Sequence, residues 1–293
     1  PDLNHTALRQ AIGKWHSIDP SMILPGNGAA ELITWAGRDA AECGISSLPS
    51  PCFSDYKRAL RCWNSKYKEV PLPLSWDSNF PNLFPLKTDS QVIWITNPHN
   101  PTGQLWSRKS LESLLDRHKL VICDEAFLPL VPNGEKQSLI PLIAHCENLI
   151  VLRSLTKLFA IAGLRLGYAI SNSNRLKKWQ FYRDPWPLNG IAIDLGSMLM
   201  NNPNILESQI KKVEDWILSE GQSLHRNLCR LPKIIAHPSA TNFQLIQSNQ
   251  SLVDLRERMA QRGILFRDCR SFNGLDERWL RISLQTTSNN QLI

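Results

Sequence analysis

The chain has 293 residues, with 33 lysines and arginines against 26 aspartates and glutamates, so its formal net charge is +7 at pH 7. This length exceeds one average domain and is sufficient for a sizeable core, which favours two domains. The basic residues are dispersed and form no stripe with interleaved aromatics, so we expect a surface suited to anionic substrates and no nucleic-acid partner.

The cysteines and the apolar runs exclude two further classes of protein. The seven cysteines are scattered without paired metal-ligand spacing, and we therefore expect no metal site. No secretory segment is visible, and the longest apolar runs are far too short to cross a bilayer. The sequence thus favours a cytoplasmic chain with free cysteines and no membrane partner.

Short apolar strands alternate with helices over the first two thirds of the chain, which predicts an α/β fold with a mostly parallel sheet. In chain order, the pattern predicts a helix around 8–12, a strand at 22–24, a helix over 29–41, strands near 92–96 and 120–123 with a helix over 106–118 between them, and strands over 149–152 and 166–170. After about residue 187, the pattern changes to long helices over 205–231 and 252–262 and strands over 241–246 and 279–284. We therefore expect a large domain over 1–188 and a smaller α+β domain over 189–293.

The most informative motif is Ser154-Leu-Thr-Lys157, which follows an apolar strand and precedes Arg165 by a short interval. A lysine on a tight turn can bond covalently to an aldehyde, and neighbouring hydroxyls and a guanidinium can hold a phosphate. A lysine after a strand is usually solvated, so this motif alone leaves both interpretations open.

Two upstream segments end in polar residues of the appropriate kind. Asp124 ends the apolar run over 120–123, at the carboxyl end of a strand, where parallel sheets bind ligands. A carboxylate there can keep a pyridinium nitrogen protonated, although an aspartate that caps the next helix is an alternative. A further apolar strand leads into a turn rich in Asn, Pro and Gly over 97–103. A surface turn would explain the last segment alone, but not the order of all three.

The ordered set of Asn100-Pro-Thr-Gly103, Asp124-Glu-Ala-Phe127, Ser154-Leu-Thr-Lys157 and Arg165 closely resembles the fold type I pyridoxal phosphate enzymes, the aspartate aminotransferase superfamily. The resemblance extends from about Leu24 to the last residues. It implies a large domain with a mostly parallel seven-stranded sheet between helices, a smaller C-terminal domain, and pyridoxal 5'-phosphate as the cofactor. It also implies a homodimer whose subunits share their active sites.

The resemblance assigns roles to individual residues. The implied cofactor-binding residues are Gly28, Ala29, Ala30, Phe53, Asn100, Asp124, Ser154, Thr156, Lys157 and Arg165. The glycine turn that opens a helix would hold the phosphate through backbone N–H groups. Lys157 and Asp124 are the implied catalytic residues, and Asn100 would hydrogen-bond the phenolic oxygen of the cofactor. Phe53 would stack on the pyridine ring, whereas an isolated phenylalanine is normally part of a core.

Two arginines are implied to bind the substrate, and Asn100 is expected beside them. Arg281 matches the arginine that binds the α-carboxylate, a task that suits the forked guanidinium. Without the resemblance, an exposed strand arginine would be the simpler interpretation. Arg267 matches a second substrate-binding arginine, which could hold either the carboxylate or a phosphate of the substrate.

Within the superfamily, the chain resembles first the threonine-phosphate decarboxylases of cobalamin biosynthesis and next the histidinol-phosphate aminotransferases. Phe53 and Phe127 stand where the aminotransferases usually carry tyrosine, and Asp184-Pro-Trp-Pro-Leu-Asn189 resembles a segment of the decarboxylases. The first resemblance implies conversion of L-threonine O-3-phosphate to (R)-1-amino-2-propanol O-2-phosphate. A histidinol-phosphate or other class I/II aminotransferase and an inactive homologue remain alternatives.

Both ends of the sequence look cut. The chain starts at Pro1 without a methionine and stops where a further helix begins near 287–293. Relatives carry a tyrosine just before the position matching Pro1 that reaches the neighbouring subunit's cofactor phosphate, and they continue past Ile293 with a terminal helix. If the chain is this short, we expect part of the active site and part of the small domain to be missing.

Overall fold

A seven-stranded sheet forms the centre of the molecule. The structure is a computed structural model that describes residues 2–293. The strands are β1 (Ile23–Asn27), β2 (Ser46–Ser50), β3 (Tyr67–Pro71), β4 (Val92–Thr96), β5 (Leu120–Asp124), β6 (Leu149–Ser154) and β7 (Leu166–Ser171). Their spatial order is β1-β7-β6-β5-β4-β2-β3. Strand β7 is antiparallel to β1 and to β6, whereas the remaining neighbours pair in parallel. The predicted mostly parallel sheet is confirmed.

The central strands form because both of their faces are covered. Every residue of β4, β5 and β6 is buried, and the sequence of each is a nearly continuous run of apolar and β-branched side chains. Alternate residues enter different cores, so that Trp94 lies on one face of the sheet while Ile93 and Ile95 lie on the other. Each run ends in a polar residue at the same edge of the sheet, which collects polar side chains there.

Helices cover both faces of this sheet. The helices are α1 (Thr6–His16), α2 (Gly28–Cys43), α3 (Ser54–Cys62), α4 (Arg108–Glu112), α5 (Leu155–Leu158), α6 (Ser173–Tyr182), α7 (Gly190–Asn201), α8 (Pro203–Trp216), α9 (Gln222–Leu228), α10 (Val253–Gln261) and α11 (Thr287–Asn290). Buried side chains of α2, α3 and α6 pack on one face, and those of α1 and α7 pack on the other. Among residues 2–293, no helix has the length and apolar character needed to cross a membrane.

A second, antiparallel sheet follows along the chain. Its strands are β8 (Ile235–Ala236), β9 (Phe243–Gln247), β10 (Arg267–Asp268) and β11 (Trp279–Ser283), in the spatial order β10-β11-β9-β8. The predicted helix over 205–231 is confirmed as α8 and α9 joined by the π-helical segment Ile217–Gly221. The predicted domain boundary at 188–189 stays a prediction.

The helix predicted over 106–118 is wrong in extent, because α4 covers only Arg108–Glu112. The backbone of Trp106 is bonded elsewhere: its N–H donates to the Asn97 side chain at 2.9 Å, and its carbonyl accepts from that side chain at 3.0 Å. Past the helix, the Ser113 hydroxyl donates to the carbonyl of Ser110, which competes with the helical hydrogen bonds. The helices α3, α6 and α7 and the short strands β3, β8 and β10 were not predicted.

A buried ion pair joins the carboxyl ends of β5 and β6. Arg153 in β6 is 1% exposed and lies 2.8 Å from Glu125, which is 0% exposed and follows β5 directly. Arg153 also contacts Glu135 at 2.6 Å, and the Glu125 carboxylate accepts from the Ser138 hydroxyl at 2.7 Å. Burial raises the pKa of Glu125, and the charge of Arg153 opposes this shift. The pair therefore fixes the two strand ends only as long as both partners are present.

Replacing Arg153 with methionine should lower the free energy of unfolding by about 3–5 kcal/mol, because Glu125 would be left buried without its counter-ion. Urea unfolding followed by circular dichroism measures this change. The double variant with Glu125→Gln should lose less than the sum of the two single variants. The surface pair of Lys211 and Asp215, 71% and 57% exposed, provides the control, since Lys211→Ala removes only a solvent-screened ion pair and should change the stability very little. An equal cost for both pairs would contradict the assigned role of Arg153.

Candidate active site

A cavity of about 360 Å³ lies at the carboxyl edge of the seven-stranded sheet, where the second sheet meets it. Its lining residues are Gly28, Ala29, Ala30, Ile33, Phe53, Tyr56, Thr96, Asn100, Asp124, Ala126, Phe127, Ser154, Thr156, Lys157, Arg165, Arg267, Phe272 and Arg281. Every residue predicted from the sequence to bind cofactor or substrate is in this set. A larger cavity of about 690 Å³, lined by Phe80, Ile217 and Gln244 among others, contains none of them.

Asp124 ends β5 with its side chain directed into the cavity, although it is only 6% exposed. One carboxylate oxygen, Oδ1, accepts the backbone N–H of Ala126 at 3.0 Å, and the other, Oδ2, accepts the Tyr56 hydroxyl at 2.7 Å. Burial raises the pKa of Asp124, while the hydrogen bonds from Tyr56 and Ala126 lower it. The next helical segment, Leu128–Leu130, has Phe127 at its N-cap, so the helix-capping interpretation of Asp124 is wrong.

Several lining residues were missed by the sequence analysis, namely Ile33, Tyr56, Thr96, Ala126 and Phe272. A signal for Thr96 was present, because it ends the apolar strand β4 as Asp124 ends β5, and the two are register partners. Tyr56 gave no comparable signal, since it lies on α3 and reaches Asp124 only through the fold.

A set of phosphate-binding groups gathers at the start of α2. Gly28 has a φ of 71°, and a Cβ added there would lie 2.5 Å from a guanidinium nitrogen of Arg165. The left-handed backbone therefore favours glycine, and the absence of a side chain lets the Arg165 guanidinium approach closely. The hydroxyls of Ser154 and Thr156 lie 2.7 Å apart and line the same cavity. Together with the N-terminus of a 16-residue helix, these groups form a site suited to a phosphate.

Lys157 lies on the short helix α5, with its Nζ atom 5.5 Å from the centre of the Phe127 ring. Within residues 2–293, no hydrogen bond or ion pair engages this ammonium group. Burial and the positive charges of Arg281 and Arg165 lower the pKa of Lys157, and Asp124 partly opposes them. The amine therefore loses its proton more readily than a solvated lysine does, which suits a nucleophile.

Arg267 and Arg281 are brought together by the second sheet, where they are register partners on β10 and β11. Arg281 is partly buried, lies 4.7 Å above the ring of Phe243, and donates a 2.5 Å hydrogen bond to the side-chain oxygen of Asn100. Its Nε is buried without a hydrogen-bond partner among the described residues. The interpretation of Arg281 as an exposed strand arginine is therefore wrong. Arg267 donates to the Ser271 hydroxyl at 2.9 Å.

The charges of the cavity are strongly unbalanced. Lys157, Arg165, Arg267 and Arg281 are cationic, and Asp124 is the carboxylate among the lining residues. Such a site favours ligands that carry several negative charges, because each unmatched cation at low dielectric attracts an anion.

Comparisons with known proteins agree with this geometry. The family model for aminotransferase class I and II matches residues 1–292. The chain is 29% identical to the threonine-phosphate decarboxylase of Salmonella typhimurium, with 99% of this chain and 80% of that protein covered. It is 28% identical to the histidinol-phosphate aminotransferase of Thermoanaerobacter pseudethanolicus, with 100% and 82% covered.

Solved structures show the same fold. The L-threonine-O-3-phosphate decarboxylase from Porphyromonas gingivalis superimposes with a TM-score of 0.83 at 25% identity, and the alignment covers 100% of this chain and 87% of that one. Since the family model spans nearly the whole sequence, the chain belongs to the aminotransferase class I and II family of pyridoxal phosphate-dependent enzymes.

Proposed function

We propose that this chain decarboxylates L-threonine O-3-phosphate to (R)-1-amino-2-propanol O-2-phosphate in cobalamin biosynthesis. The observation that carries the proposal is the adjacent pair Arg267 and Arg281, which remains after Arg165 is assigned to the cofactor phosphate. Two guanidinium groups side by side suit a substrate with two anionic groups, here a carboxylate and a phosphate. Similarity to the decarboxylases of Salmonella typhimurium and Porphyromonas gingivalis supports the same reaction.

The residues of the cavity fit pyridoxal 5'-phosphate. Gly28, whose position a Cβ would fill, opens α2 beside Arg165, and the hydroxyls of Ser154 and Thr156 complete a phosphate site. Asn100 would bind the phenolic oxygen through its amide group, since its carbonyl oxygen already accepts from Arg281. The aromatic ring of Phe53 would cover the pyridine face.

When bound, the cofactor accepts the electron pair that is released at the substrate Cα, provided that its ring nitrogen is protonated. Asp124 would keep that proton on the ring nitrogen by accepting a hydrogen bond from it. Its buried carboxylate is available for this, because no other cation lies within ion-pair distance in the described structure. Lys157 would hold the cofactor through its aldehyde, and the Nζ atom of the same residue would move a proton at the substrate Cα. The arginines would orient the substrate so that the Cα–carboxylate bond is the one that breaks.

The second candidate is a histidinol-phosphate aminotransferase, which the similarity to the Thermoanaerobacter pseudethanolicus enzyme supports. Both reactions use the same cofactor residues. Phe53 and Phe127 favour the decarboxylase, because the rings at these positions lack the hydroxyls that the aminotransferases usually carry. In the structure, Phe127 packs edge-on against Phe243 with ring centres 5.3 Å apart, and Phe53 packs edge-on against Tyr56 at 5.7 Å.

The cofactor-loaded protein should release carbon dioxide from L-threonine O-3-phosphate repeatedly, without any added oxo acid. Trapping of labelled carbon dioxide measures the turnover. If histidinol phosphate were consumed instead, and only after 2-oxoglutarate is added, the aminotransferase would replace the decarboxylase. Inactivity toward both substrates would contradict both proposals.

Reduction of the cofactor-loaded protein with borohydride should attach the cofactor to the peptide that contains Lys157, since reduction fixes the bond between the amine and the aldehyde. Peptide mass spectrometry locates the label. The variant Lys157→Ala should carry no label, whereas Lys211→Ala, which changes an exposed lysine, should be labelled like the wild type. A label on any other lysine would show that Lys157 is the wrong residue.

Replacing Arg281 with glutamine should weaken substrate binding by about 10- to 100-fold, the usual effect of losing a charge-assisted hydrogen bond. Cofactor affinity should fall by less than substrate affinity does, because Arg281 reaches the cofactor site only through its hydrogen bond to Asn100. Spectroscopic titrations with substrate and with cofactor give the two dissociation constants. Arg270→Gln is the matched control, since the Arg270 side chain pairs with Asp268 outside the cavity. Equal losses in both titrations would argue against the assignment.

A further inference from the structure

We propose that Tyr56 is a positioning residue for Asp124, and that its hydroxyl keeps the carboxylate ionised and oriented so that the proton stays on the cofactor's ring nitrogen. The inference rests on the proposed function, in which Asp124 is the partner of that nitrogen. In the proposed function, Tyr56 itself contacts neither the cofactor nor the substrate.

The hydrogen bonds around Tyr56 have a defined direction. Its hydroxyl lies 2.7 Å from Oδ2 of Asp124 and 2.8 Å from Oγ1 of Thr96. An ionised carboxylate can only accept, so Tyr56 donates its single proton to Asp124. The Thr96 hydroxyl is then the donor in the second bond. The result is a chain from Thr96 through Tyr56 to Asp124, in which each hydrogen bond polarises the next.

Packing fixes the position of the Tyr56 hydroxyl. The residue is 2% exposed, and its ring lies 5.2 Å from that of Trp94 and 5.7 Å, edge-on, from that of Phe53. Thr96 and Asp124 end neighbouring parallel strands as register partners, so the two groups bonded by Tyr56 are held by the sheet itself. Because the N–H of Ala126 binds the other carboxylate oxygen, both oxygens of Asp124 have a fixed donor.

Neutral donors stabilise the charge of Asp124. In the described part of the chain, no lysine or arginine lies within ion-pair distance of this carboxylate. Burial raises the pKa of Asp124, and the Tyr56 hydrogen bond is the largest effect in the opposite direction. Removing the hydroxyl should therefore increase the proton affinity of the carboxylate. A proton shared between Asp124 and the ring nitrogen would then move toward Asp124.

The test uses the variant Tyr56→Phe loaded with pyridoxal 5'-phosphate labelled with ¹⁵N in the ring. The ¹⁵N chemical shift should move from the value of a protonated pyridine toward that of an unprotonated one. The cofactor dissociation constant should rise by about tenfold, in line with the loss of one hydrogen bond to a charged group. Neither readout depends on which reaction the enzyme catalyses.

Tyr168→Phe is the matched control. Tyr168 is 3% exposed, and its hydroxyl lies 2.8 Å from Nε2 of His16, outside the cavity. This variant also loses a buried hydroxyl and its hydrogen bond, so its stability should fall by a similar amount, while the ¹⁵N shift should stay unchanged. If both variants moved the ¹⁵N shift equally, Tyr56 would have only a structural role.

Asp124→Asn separates failure of this inference from failure of the proposed function. If Asp124→Asn moves the ¹⁵N shift and Tyr56→Phe does not, the role of Tyr56 is wrong and that of Asp124 stands. If neither variant moves it, both roles are wrong. Thr96→Val, which removes the donor to the Tyr56 oxygen, provides a second variant should Tyr56→Phe fail to fold, and it should move the shift in the same direction by less.

Discussion

The buried pair of Arg153 and Glu125 is the constraint on which the rest of the site depends. Glu125 directly follows Asp124, and Arg153 directly precedes Ser154, so one ion pair fixes the backbone beside two residues of the cavity. Successive side chains of a strand point to opposite faces. Ser154 accordingly lines the cavity, while Arg153 is buried beneath it. The strong charges that hold the strand ends are thereby kept apart from the charges that would bind ligands.

Inside the cavity, the charged groups are arranged differently from the ion pair at the strand ends. The groups suited to anions are charged, whereas the carboxylate of Asp124 is supported by neutral donors. An arginine paired directly with Asp124 would compete with the cofactor nitrogen for the carboxylate, because a guanidinium binds both oxygens as a fork. A tyrosine hydroxyl and a backbone N–H stabilise the negative charge without neutralising it, which leaves the carboxylate able to hold a proton on a neighbouring base.

The structure could be predicted from the sequence where it depends on the local pattern of residues. Strands β4 and β5 are continuous apolar runs, and their polar last residues indicated the functional edge of the sheet. The sequence was insufficient for prediction where a side-chain contact with another part of the chain determines the structure. The helix predicted over 106–118 starts later because Asn97 binds the backbone of Trp106, and no periodicity reveals that contact. Tyr56 was missed for the same reason, since its partners lie 40 and 68 positions further along the chain.

In the proposed function, the choice between decarboxylation and transamination depends largely on how the second sheet holds the substrate, beside the contribution of Phe53 and Phe127. Both reactions need the same lysine, carboxylate and phosphate site, and they differ in which bond at Cα stands perpendicular to the ring. That orientation is set by where the anionic groups of the substrate are held, and the candidate ligands are Arg267 and Arg281 on β10 and β11. A hydrogen bond between Arg281 and Asn100, 181 positions apart, ties these strands to the first sheet. If the two arginines bind the substrate as proposed, the position of one sheet relative to the other helps to select the bond that breaks.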